Sequence, residues 1–480
     1  MMETPLLNAL KTSAHKSHAA FYAPGHKQGK GVSDNIKDLI GSAVFAADLP
    51  ELPELDNLFA PEGVIKEAQK LAAKTFGAEK TWFLVNGSTC GIMAGILATC
   101  GAGDKIILPR NIHQSAIAGL VLSGAIPIFI NPEYDATEGL AYNVTPEAVQ
   151  QALKTHPDTK AVMMLHPTYQ GVCADLKAIA EIVHQYNIPL LVDEAHGAHF
   201  AFNNDLPPSA LSVGADLTVQ STHKVLSAMT QASMLHIQGK RICDRRISKA
   251  LQLVQSTSPS YLLLASLDAA RQQMATKGKE LMNSTIALAT KARNQLAEIP
   301  NLSVFKPETN SGCRHFDCTR LTLNVSQLGI TGFEADEILH EQLGVTCELP
   351  LLHHLTFIIS LGNTSEDIQK LVQACTTLSQ LAISPQPLAI RYQLSAISYQ
   401  PSAISPRDAY FRLTKTITIT KASDRLSGEL ICPYPPGIPV LMPGEKITSQ
   451  TIDYLQQVLA AGGTITGCND PTLKTIQVLK

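Results

Sequence analysis

An α/β fold with a mostly parallel central sheet and a smaller α+β C-terminal domain follows from three features of the sequence. Short apolar runs recur between about residues 60 and 240, helical periodicity fills the intervals, and the runs are apolar enough to be buried on both faces. Strands alternating with crossover helices pair in parallel, and ligands of such sheets bind beyond the carboxyl ends of the strands. The rim formed by those ends is where chemistry is expected.

In chain order, residues 1–60 form an N-terminal segment. PEGVIKEAQKLAAKTFGA (61–78) then places Val64, Ala68, Leu71, Ala72 and Phe76 on one helical face, with Pro61 suited to the first turn. The expected strands are TWFLV (81–85), DKIIL (104–108), IPIFI (126–130), AVMML (161–165), IPLLV (188–192) and DLTVQ (216–220). Helices over 115–124, 145–157 and 175–187 separate several of them, each bounded by Gly, Pro or Asn. A long helical stretch, 247–298, closes the large domain, 61–300. The smaller domain, 301–480, mixes short strands with a helix at 333–344 and carries a Pro- and Ser-rich linker at 383–406. A turn-rich loop at 433–448 precedes the last helix.

Composition narrows the class. Lys+Arg 38 against Asp+Glu 41 gives a net charge of −3, with 45 % hydrophobic and 16 % charged residues. That balance excludes intrinsic disorder and gives no electrostatic footprint for nucleic acid. No apolar run approaches the length of a membrane span, and residues 1–20 lack the apolar core of a signal peptide, so a soluble cytoplasmic protein is expected. The ten cysteines are scattered without a CxxC pair or zinc-finger spacing and read as reduced thiols; no metal is expected.

Three rim segments carry chemistry. In NGSTCGIMAGILATC (86–100) a Gly and two hydroxyl residues open a helix after a strand, which suits an anion held by Ser88, Thr89 and backbone N–H groups; an ordinary N-cap is the plainer alternative. DEAHGAH (193–199) ends an apolar strand, where Asp193 is costly unless a cation, a metal or a protonated ring nitrogen faces it; a helix cap or a weak metal set with His196 and His199 are the alternatives. STHK (221–224) places Lys224 just past a strand among small and apolar residues, a setting in which a lysine can become a neutral amine and form a Schiff base, although a surface lysine has the same spacing. Together the three supply what pyridoxal phosphate needs: a phosphate seat, a carboxylate for the pyridine nitrogen, and an amine. This is the combination of fold type I of the pyridoxal-phosphate enzymes, the aspartate-aminotransferase-like class.

At finer grain the chain resembles the bacterial ornithine/lysine/arginine decarboxylase family. The resemblance rests on FYAPGHKQG (21–29), DLPELPELDNLFAPEGVIKEAQKLAAKTFGA (48–78), NGST (86–89), DEAHGAH (193–199), STHK (221–224), STSPSYLLLASLD (256–268) and PYPPGIPVLMPGE (433–445), and it spans nearly the whole chain. It is similar to the short form, without the N-terminal wing domain of longer members. The resemblance implies that Lys224 is the Schiff-base lysine, that Asp193 partners the pyridinium nitrogen, and that His113 stacks on the ring. It implies phosphate contacts from Ser88, Thr89, Ser221 and His223, a contact of His196 on the ring side, and a reach of Thr257 to the phosphate of the neighbouring subunit in a homodimer with shared sites. Lys224 or His223 is then the proton donor to Cα. Where longer members carry an aromatic, this chain has DEAHGAH.

The activity so implied is decarboxylation of a basic L-amino acid, arginine to agmatine ahead of lysine and then ornithine, with Glu445 or an acidic residue of 334–348 reading the distal charge. An aminotransferase or another lyase of the same fold shares the same handles. DEAH also occurs in helicases, but GHKQGKG (25–31) is one residue short of a P-loop and has Gly31 in place of Ser or Thr. A non-catalytic cofactor-binding protein is the remaining class, against which Lys224 and Asp193 argue.

Overall fold

The computed structural model describes residues 3–309, 312–381, 404–434 and 437–480. The linker expected at 383–406 lies outside the described residues up to position 403, and Pro406 already opens a helix, Pro406–Phe411.

Seven strands carry the α/β part: β1 (Lys80–Leu84), β2 (Lys105–Pro109), β3 (Ile126–Ile130), β4 (Thr159–Leu165), β5 (Leu190–Asp193), β6 (Leu217–Gln220) and β7 (Ser233–Ile237). The helices that matter for the site are α1 (Val64–Phe76), α2 (Gly87–Thr99), α3 (Gln114–Ser123), α4 (Thr222–Val225), α5 (Asp244–Val254) and α6 (Tyr261–Leu296). The chain divides into two compact units that do not follow chain order: residues 1–98, 191–204 and 208–282 in the first, and 99–190, 205–207 and 283–480 in the second. The boundary expected near residue 300 lies within the second unit.

In the first unit the strand order is β1-β7-β6-β5. β5 and β6 are parallel, with Val192 opposite Thr218, whereas β7 runs antiparallel to both its neighbours, with Leu235 opposite Trp82 and Val219. All six strands expected from the sequence are present, and β7 is added to them. Its run contains Ser233 and His236, which interrupt the apolar signal although all five of its residues are buried. α2 packs closely on this sheet because Gly91 has no side chain. A Cβ there would lie 2.7 Å from Leu84 Cδ1 and 2.8 Å from Val219 Cγ1.

α1 starts at Val64, three residues later than Pro61 suggested, because Asp56 caps it from outside the helix. Its carboxylate accepts from the backbone N–H groups of Glu62 (2.9 Å), Gly63 (2.8 Å) and Ile65 (3.0 Å), which an α-helix leaves without internal partners. The long helical stretch is two helices, α5 and α6, separated around Pro259, which cannot supply an N–H to a continuing helix. Asp268 on α6 accepts from Leu6 N at 3.0 Å and pairs with Arg271, anchoring the N-terminal helix Pro5–Ala14.

The second unit holds β4-β2-β3, all parallel, with Ile107 opposite both Val162 and Ile128. The helices Pro146–Thr155 and Leu176–Gln185 start on Thr145 and Asp175, whose side chains accept from Ala148 N and Ala178 N. A four-stranded antiparallel sheet (Ser303–Val304, Arg320–Asn324, His354–Ile358, Leu349–Pro350, in that spatial order) buries Leu321, Leu323 and Leu355 with Leu339 and Leu371 of two helices. The last segment pairs Thr414–Thr418 with Thr475–Leu479 and Cys432–Tyr434 with Thr464–Thr466 around the helix Ser449–Ala460. The ten cysteines are free thiols. Among the described residues no helix is long and apolar enough to cross a membrane.

Candidate active site

In the first unit, parallel β5 and β6 end side by side, and the residues that follow them converge. Asp193, the last residue of β5, is 3 % exposed, and its Oδ1 accepts from Ala195 N at 3.1 Å. Burial pushes its carboxyl up and the nearby Lys224 acts against that shift. A carboxylate at this depth is costly by itself, so a cationic N–H brought against it gains from holding it ionised.

Lys224 is carried by α4, one short turn after β6. Its Nζ lies 2.9 Å from His196 Nε2, which joins the DEAHGAH and STHK segments directly. A lysine has only donor hydrogens when charged, so His196 Nε2 accepts and the His196 proton resides on Nδ1. His223 is half-buried; its Nδ1 lies 3.0 Å from Ala232 O, and a carbonyl can only accept, so Nδ1 carries the proton. Burial, with Lys224 adding to it, lowers the His223 pKa and keeps the ring neutral, leaving Nε2 as a bare acceptor.

The anion seat is also in place. Ser221, fully buried, donates from Oγ to Ser88 Oγ at 2.8 Å, so the STHK turn and the N-terminus of α2 present adjacent hydroxyls beside that helix's free N–H groups. Thr89 is exposed in the same first turn. Thr222 Oγ1 is buried without a hydrogen-bond partner among the described residues. Thr257 is exposed in the turn between α5 and α6, and its neighbour Ser256 donates from N to Asn86 Oδ1 at 3.2 Å, tying that turn to the start of α2.

Behind these groups runs a buried polar chain that sequence reasoning missed. Glu194 accepts from Ala210 N and Gln220 Nε2, both at 2.7 Å; Gln220 Oε1 lies 3.1 Å from His236 Nε2, and His236 Nδ1 lies 2.8 Å from Thr81 Oγ1. It braces β5, β6, β7 and β1 directly behind the residues that carry Asp193 and Lys224. The available signal was polar residues, Gln220 and His236, inside otherwise apolar runs.

The second unit contains His113 and Glu445. His113 follows β2 and caps α3, its Nδ1 accepting from Ser115 N at 3.2 Å. Gly437 lies against the imidazole, since a Cβ there would be 3.3 Å from His113 Nε2, and Gly437 O accepts from Gln114 N at 3.1 Å. Glu445 is only 5 % exposed, and its Oε2 accepts from Arg110 Nη2 at 3.0 Å and from Met442 N at 3.1 Å. Arg110 also donates to Pro439 O (2.6 Å) and Val440 O (3.0 Å). The Glu445 carboxylate is therefore committed to an internal ion pair that anchors the 437–445 segment to the loop bearing His113.

Residues 4–322 match the family described as Orn/Lys/Arg decarboxylase, major domain, and residues 392–470 match its C-terminal domain. A curated arginine decarboxylase of Bacillus subtilis is 40 % identical over 480 residues, covering 100 % of this chain and 98 % of that protein. A lysine decarboxylase of Pseudomonas aeruginosa is 25 % identical, covering 94 % of this chain and 75 % of that protein. Among solved structures, the lysine decarboxylase of Francisella novicida superposes with a TM-score of 0.84 at 23 % identity, covering 99 % of this chain and 81 % of that one. The shared fold is fold type I of the pyridoxal-phosphate enzymes.

Proposed function

Because the chain belongs to the Orn/Lys/Arg decarboxylase family, we propose that it uses pyridoxal phosphate to release carbon dioxide from a basic L-amino acid, with arginine the preferred substrate. The observation that carries the cofactor assignment is the convergence, within one unit, of a buried strand-end carboxylate, an adjacent amine and a hydroxyl pair at a helix N-terminus. The arginine preference rests on the full-length relative of that named activity, the lysine decarboxylases being more distant. Lysine and ornithine follow in that order.

When bound, the cofactor supplies a sink for the electron pair left at Cα as the carboxylate departs. Lys224 is the amine that would hold it and Asp193 the partner of its ring nitrogen; Ser88, Thr89 and Ser221 would take the phosphate, joined by His223 once that anion draws a proton onto its Nε2, with His196 on the ring side and His113 on the ring face. Thr257 would serve the neighbouring subunit's phosphate in a homodimer. A buried Asp193 in water-excluded surroundings is stronger as an electrostatic partner than a solvated one. The proton returned to Cα comes from Lys224 Nζ, because His223 has its Nδ1 proton on Ala232 O and its Nε2 given to the phosphate. We place the protein in the cytoplasm.

The test is to supply purified protein and pyridoxal phosphate with arginine, lysine and ornithine separately, following carbon dioxide and the amine product. Agmatine from arginine is the expected result. No carbon dioxide from any of the three, with the visible absorbance of bound cofactor intact, overturns the activity and redirects the assay to transamination. Lys224→Ala is expected to lose that absorbance; its retention sinks the lysine assignment. A stable monomer in solution contradicts the shared role of Thr257.

A further inference from the structure

The first unit also contains a cavity of about 400 Å³, bounded by α1, β1 and α5 and, apart from Thr81 of the buried polar chain, built from none of the residues assigned above. Lys66, Gln69, Lys70 and Ala73 line it from one stripe of α1, at the i, i+3, i+4 and i+7 positions that share a helix face. Gln69 is 6 % exposed, and its Nε2 has no hydrogen-bond partner among the described residues. A buried amide donor left unmade costs about 1–3 kcal/mol, so it selects an acceptor oxygen. Neither Lys66 nor Lys70 makes an ion pair among the described residues, whereas Lys80, also lining the cavity, is paired with Asp244 at 2.7 Å. Glu79 is the acidic residue of the lining. The other wall is mainly apolar, with Leu58, Phe59, Leu251 and the indole of Trp82, whose Nε1 is already bound to Ser248 Oγ at 3.1 Å and whose ring has Lys80 Nζ 4.8 Å from its centroid; Thr81 and Gln255 complete it.

We propose that this cavity binds a monocarboxylate with an apolar aliphatic or aromatic body. The carboxylate accepts from Gln69 Nε2 on the stripe that carries Lys66 and Lys70, and the body packs on Trp82 and Leu251. The volume is within the range of small-molecule pockets, and a single-sided set of donors facing apolar walls fixes one orientation. The site is independent of the decarboxylase reading.

Trp82 is the sole tryptophan of the chain, so its emission reports this wall alone. Titrating the holoenzyme with hexanoate and, separately, with hexylamine and hexanol is expected to give a saturable emission change with hexanoate and binding at least tenfold weaker for the other two. Gln69→Leu is expected to weaken hexanoate binding about tenfold, equivalent to about 1.4 kcal/mol, and to leave decarboxylation of the basic amino acid unchanged. Should Gln69→Leu fold poorly, the exposed pair Lys66→Met and Lys70→Met provides the test, with a several-fold loss expected. No saturable change with hexanoate, equal binding of hexylamine, or unaltered binding in both variants overturns the proposal.

Discussion

The Arg110–Glu445 pair offers a double-substitution cycle whose outcome the geometry fixes in advance. Both side chains are about 95 % buried, and Arg110 Nη2 reaches the two carboxylate oxygens at 3.3 and 3.0 Å. Glu445→Leu leaves a buried guanidinium with only two carbonyl partners, a situation that costs about 3–5 kcal/mol. Arg110→Met removes the cation and also strips the donors from Pro439 O and Val440 O, each worth about 1–3 kcal/mol when left unmade. The double variant carries no buried charge, so it retains only the penalties of the two carbonyls and of Met442 N, which has lost its Glu445 acceptor, and is more stable than the sum of the singles by about 3 kcal/mol. Urea denaturation followed by circular dichroism gives the stabilities, and hydrogen exchange on the peptides covering 110–114 and 437–445 locates the loss. If the single effects add to the double within about 0.5 kcal/mol, the pair is not coupled and the anchoring role of Glu445 is refuted.

Other consequences are as open to measurement. Gly91→Ala forces a methyl to within 2.7 Å of Leu84 and 2.8 Å of Val219, which should cost about 1–3 kcal/mol and lift the N-terminus of α2 from its seat. Faster loss of cofactor absorbance on dialysis is expected, and unchanged retention contradicts the close-packing argument. Burial pushes His236 down to about 3, so below its unfolded value of about 6.5 the unfolded chain binds a proton that the folded chain does not. Its contribution is therefore lost as pH falls from 6.5 towards 3, by up to about 1.4 kcal/mol per pH unit. Glu194, pushed up to about 8 by burial, keeps its proton in the folded chain above the ordinary value of 4.5, so its contribution is lost as pH rises from 4.5 to 8. Glu194→Gln should flatten the stability decline between pH 6.5 and 8; an identical slope in the variant rules out that carboxyl as its source.

The pattern of apolar runs determined six of the seven strands and the rim on which Asp193 and Lys224 lie, because five of the six are buried on both faces, only β3 being half-exposed, and the apolar signal is continuous. Their meeting is also a consequence of topology, since adjacent parallel strands β5 and β6 deliver their next residues to the same edge. Local sequence failed where a partner was remote. The start of α1 depends on a carboxylate seven residues before Gly63, and β7 is buried by its neighbours in spite of His236. Glu445 shows the limit best: in the sequence it is a carboxylate available to a basic substrate, and in the folded chain it is spent on Arg110, 335 residues away. Periodicity records which side chains leave water. It carries no record of which buried charges and amides find one another, because burial penalises the charge or dipole wherever it lies, and only the tertiary arrangement supplies the partner that offsets the penalty.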